Sequence, residues 1–324
     1  MTDTPQATPD PFEWAAFGVL DDVRPAMIRA RGAGLAFALG TLHAAEGGAP
    51  RGVGAQMLVA ADGAMAGFLS GGCVEADVAA HARAVLANGA PRRLVYGEGG
   101  PPDIRLACGS RIEVLLECVP PADLALAGLL EALAARVPAV WASNGVARAC
   151  LEPGTRVPQG MVARAFDPPL RLAIIGADPI ALALARIAHD QGVEVLFLRP
   201  KGPEAPPPAP VALYLRSDIP SAFARIAPDP WTAIAILTHD AEVEHAALAA
   251  ALATPAFYIG ALGSRRRFAE RHGRLLGAGF GEAALARIKA PIGLAIGGKS
   301  PFAIALAVLA EIVATLPEGA KPNA

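Results

Sequence analysis

The sequence predicts an α/β protein of two domains, the second built on a doubly wound parallel sheet. Three observations point there. The 324 residues exceed what one hydrophobic core ordinarily organises. From residue 171 onward, short continuous apolar runs alternate with helical stretches, as in buried parallel strands joined by crossover helices. Hydrophobic residues make up 53% of the chain and aromatic ones only 5%, so the cores must be filled by Ala, Leu, Val and Ile.

Taken in order, residues 1–10 are polar and Pro-containing and are expected to lack order. Leu20, Val23, Met27 and Ile28 predict a helix over residues 12–30 that ends near Gly32. Apolar runs at 34–42 and 55–60 predict two strands, separated by a glycine-rich loop at 43–52. Val74, Val78, Ala82, Val85 and Leu86 recur at helical spacing, so a helix is expected over 74–88 with Gly89 just past its end. Strands follow at 92–96 and 111–119. In the latter, Ile112, Val114, Leu116 and Cys118 alternate onto one face, which makes Cys118 a core residue. Asp167-Pro168-Pro169 marks a boundary, giving domains at 1–160 and 168–324. Beyond it, strands are expected at 171–176, 193–198, 211–215, 233–237 and 256–259. Helices are expected at 240–253, 264–276 and 301–316, and a Pro-rich surface loop at 203–210.

Composition excludes several functions. A net charge of −2 without a lysine-rich block leaves no electrostatic footprint for nucleic acid. The N-terminus lacks the basic and apolar regions of a secretion signal. No apolar run reaches membrane-spanning length, since residues 303–316 are too few and contain Glu311. A cytoplasmic protein is expected. Its four cysteines, Cys73, Cys108, Cys118 and Cys150, lack CxxC spacing, which argues against structural zinc, and a reducing compartment argues against disulfides.

The richest chemistry lies in Ser70-Gly71-Gly72-Cys73-Val74-Glu75, which sets a thiol between two glycines and a helix start. Glycines allow positive φ, and the unpaired amides of a first helical turn favour anions and thiolates. That environment lowers a cysteine pKa and suits Cys73 as a nucleophile or a soft-metal ligand. The alternative is a tight turn whose thiol fills space. Cys108 closes the loop at 97–107 and could face the same crevice, whereas Cys150 has nothing nearby to activate it. Arg51, in a loop with Gly52 and Gly54, is either a phosphate partner or a solvated side chain.

In the second half, Gly176-Ala177-Asp178-Pro179-Ile180-Ala181 keeps only the first glycine of a Rossmann-like turn. Asp178 puts a negative charge where a pyrophosphate would lie, and Pro179 removes an amide. The second strand ends in Arg199 and not in an acidic residue, so the Rossmann-like fold is expected to persist with ordinary NAD(P) binding lost. Gly260-Ala261-Leu262-Gly263-Ser264-Arg265-Arg266 follows a strand and opens a helix, which suits either a phosphate or a capped, solvated basic turn. Thr238-His239-Asp240 ends a strand where open sheets bind ligands. His239 could relay protons, ligate a metal or cap a helix.

These segments resemble the xanthine dehydrogenase accessory protein family, XdhC/CoxI. Gly48-Ala49-Pro50-Arg51, the Ser70 to Glu75 motif, Leu237-Thr238-His239-Asp240, the run from Tyr258 to Arg266, and Ala290-Pro291-Ile292-Gly293-Leu294 with Ala310-Glu311-Ile312-Val313 carry the match. The resemblance implies a maturation chaperone, not a turnover enzyme, with an N-terminal XdhC/CoxI domain and a Rossmann-like C-terminal domain. Such a protein binds molybdenum cofactor (molybdopterin), protects it while a cysteine desulfurase supplies the sulfido ligand, and delivers it to an apo-molybdenum hydroxylase of the xanthine dehydrogenase or CO dehydrogenase type. Similar proteins are homodimers. On that footing Cys73 is the reactive and metal-binding residue, and Arg51, Gly71, Gly72, Cys108, Ser264, Arg265 and Arg266 are cofactor-binding candidates. Cys108-Gly109-Ser110 departs from the family pattern, where a second glycine is usual. Two other functions compete: an NAD(P)-dependent oxidoreductase, and a docking scaffold that holds no cofactor.

Overall fold

A computed structural model describes residues 12–49, 51–101, 103, 104, 106, 109–263 and 265–316, with the backbone alone at 265–268. Residues 1–10, expected to lack order, lie outside the described residues. The chain divides into two compact units, one holding the described residues up to Pro168 and the other those from Pro169.

In the first unit, β1 (Phe37–Glu46), β2 (Gln56–Ala60), β3 (Met65–Gly67), β4 (Arg92–Tyr96) and β5 (Arg111–Val119) form an antiparallel sheet of order β3-β2-β1-β5-β4. Because strand side chains alternate, the sheet buries both faces. Ala38, Leu42, Met57, Val114 and Leu116 pack against Val78, Ala82 and Val85 of α2 (Glu75–Asn88). Gly89, at φ 69°, ends that helix by returning its amide to the Val85 carbonyl, which is the role expected of it. On the other face, Phe37, Leu39 and Val119 meet Met27 of α1 (Arg24–Gly32) and Leu126 of α3 (Leu124–Ala134). Trp141 and Phe166 join them from a second antiparallel sheet of order β7-β6-β8, made of β6 (Ala139–Ser143), β7 (Arg148–Leu151) and β8 (Val162–Phe166). The two sheets are pinned by Glu117, only 1% exposed, which accepts hydrogen bonds from the Ser143 hydroxyl (2.6 Å) and Arg148 (2.9 Å).

The long helix expected over residues 12–30 is not formed. A single 3₁₀ turn occupies Ala16–Gly18, and α1 begins at Arg24 with a proline in its first turn. Pro25 has no amide to donate, and its ring disfavours helix in the residue before it, so the chain cannot run through as one helix. Val23 and Met27 are buried as the periodicity implied, but Leu20 and Ile28 face solvent.

The second unit holds β9 (Arg171–Gly176), α4 (Pro179–Asp190), β10 (Glu194–Leu198), β11 (Leu213–Leu215), α5 (Ile219–Ile226), β12 (Thr232–Leu237) and α6 (Ala241–Leu252), in that order. It closes with β13 (Tyr258–Ala261), α7 (Arg265–Gly277), α8 (Glu282–Leu285), β14 (Ile288–Lys289) and α9 (Pro301–Thr315). All strands are parallel, in the order β11-β10-β9-β12-β13-β14. Counted within the unit this is 3-2-1-4-5-6, the Rossmann order. Ala173 and Ile175 pack against Phe223 of α5 and Leu248 of α6, while Leu172 and Ile174 pack against Leu184 of α4 and Val308 of α9. Helices therefore cover both faces, and strand order reverses between β9 and β12. The ends of these two strands, at Gly176 and Leu237, border the crevice where such sheets take ligands.

Candidate functional site

The Ser70 to Glu75 motif folds as a turn between β3 and α2, built around an inward carboxylate. Gly71 and Gly72 stand at φ 85° and 115°, a region closed to ordinary side chains, and a Cβ at either would meet open space. Their role is thus backbone direction. Turning the chain there folds Glu75, 1% exposed, back into the loop. Its Oε1 accepts the amides of Leu69 (2.9 Å) and Ser70 (2.7 Å). Its Oε2 accepts the Ser70 hydroxyl (2.9 Å) and the Gly72 amide (2.9 Å). The Ser70 hydroxyl oxygen in turn accepts the amides of Cys73 (3.0 Å) and Val74 (3.1 Å). Burial pushes the Glu75 carboxyl up, but the Ser70 and Leu69 amides and the Ser70 hydroxyl outweigh it and hold it below the usual carboxylate range.

This network corrects one expectation. The amides of Gly72 and Cys73, expected to favour an incoming anion or a thiolate, already serve Glu75 and Ser70. A carboxylate tethered three residues away occupies the helix mouth ahead of any dissolved ion. The Cys73 side chain is left exposed on a turn whose backbone is fixed from beneath. Cys118 and Cys150 contrast with it, because both are partly covered and burial pushes their thiols up. Cys118 packs beside the first core and Cys150 lies against Gly128, where an added Cβ would meet its Cβ at 3.1 Å.

Arg51 approaches the same turn from the β1–β2 loop. Its guanidinium lies 4.4 Å over the ring of Phe68, two residues before Ser70, and pairs with Asp21 at 2.8 Å. Among the described residues its buried Nε has no hydrogen-bond partner. A buried cationic donor and an exposed thiol in the same unit suit, respectively, an anionic group and a soft metal. Among the described residues no group of three His, Cys, Asp or Glu side chains could hold a metal ion by itself. Cys108 and Ser264 lie outside the described residues, and of Arg265 and Arg266 only the backbone, at the start of α7, is described.

At the crevice of the second unit, Asp178 caps α4 and its carboxylate accepts the Ala181 amide at 2.9 Å. It holds the place a pyrophosphate would take. His239, two-thirds exposed, reaches across from the end of β12 to within 3.7 Å of the Asp178 carboxylate, and Asp240 caps α6. Sequence reasoning missed Glu75 as the organiser of the loop and missed Arg164 altogether. The five-residue spacing of Ser70 and Glu75 was the available signal for the first. Arg164, in a short strand of alternating polarity, offered none.

A 3-2-1-4-5-6 parallel sheet in one unit, and an antiparallel sheet carrying a fixed cysteine turn in the other, define the class of protein. The chain belongs to the XdhC and CoxI family, whose model matches residues 30–97, and the XdhC Rossmann domain model matches residues 172–312. It is 36% identical over 281 residues to the molybdenum cofactor insertion chaperone PaoD of Escherichia coli strain K12, covering 84% of this chain and 81% of that protein. It is 28% identical over 285 residues to the uncharacterized protein YqeB of the same organism, spanning 86% of this chain but only 43% of YqeB. A crystal structure described as a xanthine dehydrogenase from Bacillus halodurans superposes with a TM-score of 0.72 at 25% identity, covering 92% of this chain and 98% of that one. No helix among the described residues is long and apolar enough to cross a membrane.

Proposed function

We propose that this protein is a molybdenum cofactor maturation chaperone that holds the cofactor while a cysteine desulfurase supplies its terminal sulfur, then inserts it into an apo-molybdenum hydroxylase. The exposed Cys73, on a turn locked by Glu75 in a relative of PaoD, is the observation that carries this. Cys73 would ligate the metal, or its thiolate would take the outer sulfur of a desulfurase persulfide, forming a Cys73 persulfide and releasing the desulfurase cysteine as thiolate. Arg51 offers its orphaned Nε to the cofactor's phosphate. Gly71 and Gly72 contribute the turn, and the Gly72 amide is held by Glu75 and not offered to the cofactor. Residues 1–160 form the holding domain and residues 168–324 the second domain, in which Ser264, Arg265 and Arg266 provide a further anion contact. The bound group would supply the redox-active metal and dithiolene, while this chain binds, orients and shields. The protein acts as a cytoplasmic homodimer.

The test is to co-express the full chain with an intact cofactor pathway, purify it and measure pterin fluorescence after oxidation. Near-stoichiometric pterin is expected, with most of it lost in Cys73→Ala. A chain that carries no pterin, or a Cys73→Ala variant that retains it fully, overturns the proposal. The Rossmann strand order favours a second reading, an NAD(P)-dependent oxidoreductase, but the Asp178 cap stands in the pyrophosphate position.

A further inference from the structure

We propose that Arg164 and Arg51 together form a receptor for a phosphate-class anion in the first unit, on the flank of the β2–β3 hairpin that leads into the Cys73 turn. Arg24 and Arg164 share the Phe166 ring, the charge of Arg51 is felt at Arg164, and the states of the three differ. Arg24 is fully engaged. It makes a two-pronged pair with Asp22 (2.8 and 2.9 Å), donates to the Asp167 carbonyl at 2.6 Å and lies 5.2 Å from the centre of the Phe166 ring. Its role is structural.

Arg164 lies over the same ring at 4.6 Å, but its single hydrogen bond among the described residues runs to a neutral acceptor, the Gln56 side-chain oxygen, at 3.1 Å. Gln56 is 2% exposed and is oriented by donating to the Thr41 hydroxyl at 3.1 Å, so it presents that oxygen rigidly. Among the described residues, no carboxylate forms an ion pair with Arg164. Loss of water pulls its guanidinium down to about 10. The charges of Asp21 and Asp22 oppose this, while Arg24 and Arg51 reinforce it. A guanidinium withdrawn from water against a neutral amide is expensive to maintain unless an anion completes its shell. Arg51 is short of an acceptor too, since its NH2 group serves Asp21 while its buried Nε has no partner among the described residues.

Asp21 pairs with Arg51 and Asp22 with Arg24, so the three guanidinium groups outnumber the two carboxylates and leave one net positive charge to attract an anion. A phosphate group, with several acceptor oxygens and up to two charges, can satisfy two guanidinium groups better than a carboxylate does. The function proposed above identifies the anion as the phosphate of the cofactor. The inference rests on that reading for the ligand's identity and not for the site's existence.

The test uses the full chain at constant ionic strength. Inorganic phosphate is titrated into the wild type, Arg164→Gln, Arg164→Lys, Arg51→Gln and, as a surface control, Arg83→Gln, and binding is followed by calorimetry. Saturable binding is expected in the wild type, weakened at least tenfold by Arg164→Gln and by Arg51→Gln and less by Arg164→Lys, which keeps charge but loses the fork. Arg83→Gln should bind like the wild type. Pterin retention is measured in parallel, and added phosphate should lower it. Phosphate binding that depends on Arg164 in a chain carrying no pterin would leave this site standing and remove the chaperone proposal. Retained pterin, with no saturable phosphate binding or with equal binding in Arg164→Gln, would overturn this site and leave the chaperone proposal intact.

Discussion

Replacing Glu75 offers the sharpest test of how the cysteine turn is held. Its Oε1 serves the amides of Leu69 and Ser70, at residues 0% and 4% exposed, where no water can replace a lost acceptor. In Glu75→Ala each stranded amide costs about 1–3 kcal/mol, roughly 2–6 kcal/mol for the pair. That is a large part of the about 5–15 kcal/mol that holds a typical domain together. The Gly72 amide belongs to an exposed residue and can turn to solvent, so it adds little. Glu75→Gln is the gentler probe. It keeps one acceptor oxygen for Leu69 and Ser70 but removes the charge that strengthens both bonds, a loss of about 1 kcal/mol each. Two such losses correspond to about a thirtyfold change in a local opening equilibrium. Amide hydrogen exchange in the full chain reads this directly. Protection at Leu69 and Ser70 should fall about thirtyfold in Glu75→Gln while Ile174, in the other unit, is unchanged. Protection at both amides within threefold of wild type would refute the claim that this carboxylate organises the turn.

The same carboxyl makes the turn acid-sensitive. Its folded pKa lies below its ordinary value of 4.5, so its contribution is full above pH 4.5 and is lost as pH falls through the depressed folded value. The protection difference between wild type and Glu75→Gln should close over that range. At neutral pH, mass-mapped alkylation of the native chain should modify Cys73 before Cys118 and Cys150, since Cys73 is exposed and burial pushes the other two thiols up; early labelling of either would contradict this ordering. Asp178→Ala removes a helix cap and should lower the stability of the second unit by about 1 kcal/mol in urea titrations, with Asp178→Asn close to neutral. Titration of the wild type with NADH or NADPH should give no saturable signal, and tight binding of either would restore the oxidoreductase reading.

Much of the fold was legible because its signals are local. Arg92–Tyr96, Arg111–Val119 and Arg171–Gly176 form strands over the residues their apolar patterns marked, and α2 stops where Gly89 offers a left-handed exit. What could not be read depends on partners distant in sequence. β6, β7 and β8 are strands of four or five residues that exist by pairing with one another and by packing Trp141 and Phe166 under the larger sheet. Pro25 outweighed a helical pattern that looked continuous from residue 12. At the site, Cys73 stood out by its residue type, but the reversal of Glu75 did not. An acidic residue at a helix start reads as a solvated partner of the dipole, and only the torsions of Gly71 and Gly72 turn it inward.

A nucleotide-dependent sheet of the Rossmann order is tightened by its coenzyme, so its melting point follows metabolite supply through mass action. Here the anion at the mouth of α4 is covalently part of the polypeptide, as the Asp178 side chain. If NADH and NADPH give no saturable signal, as predicted above, the cohesion of this unit is decoupled from coenzyme supply, and it persists as a constitutive platform whatever the metabolic state.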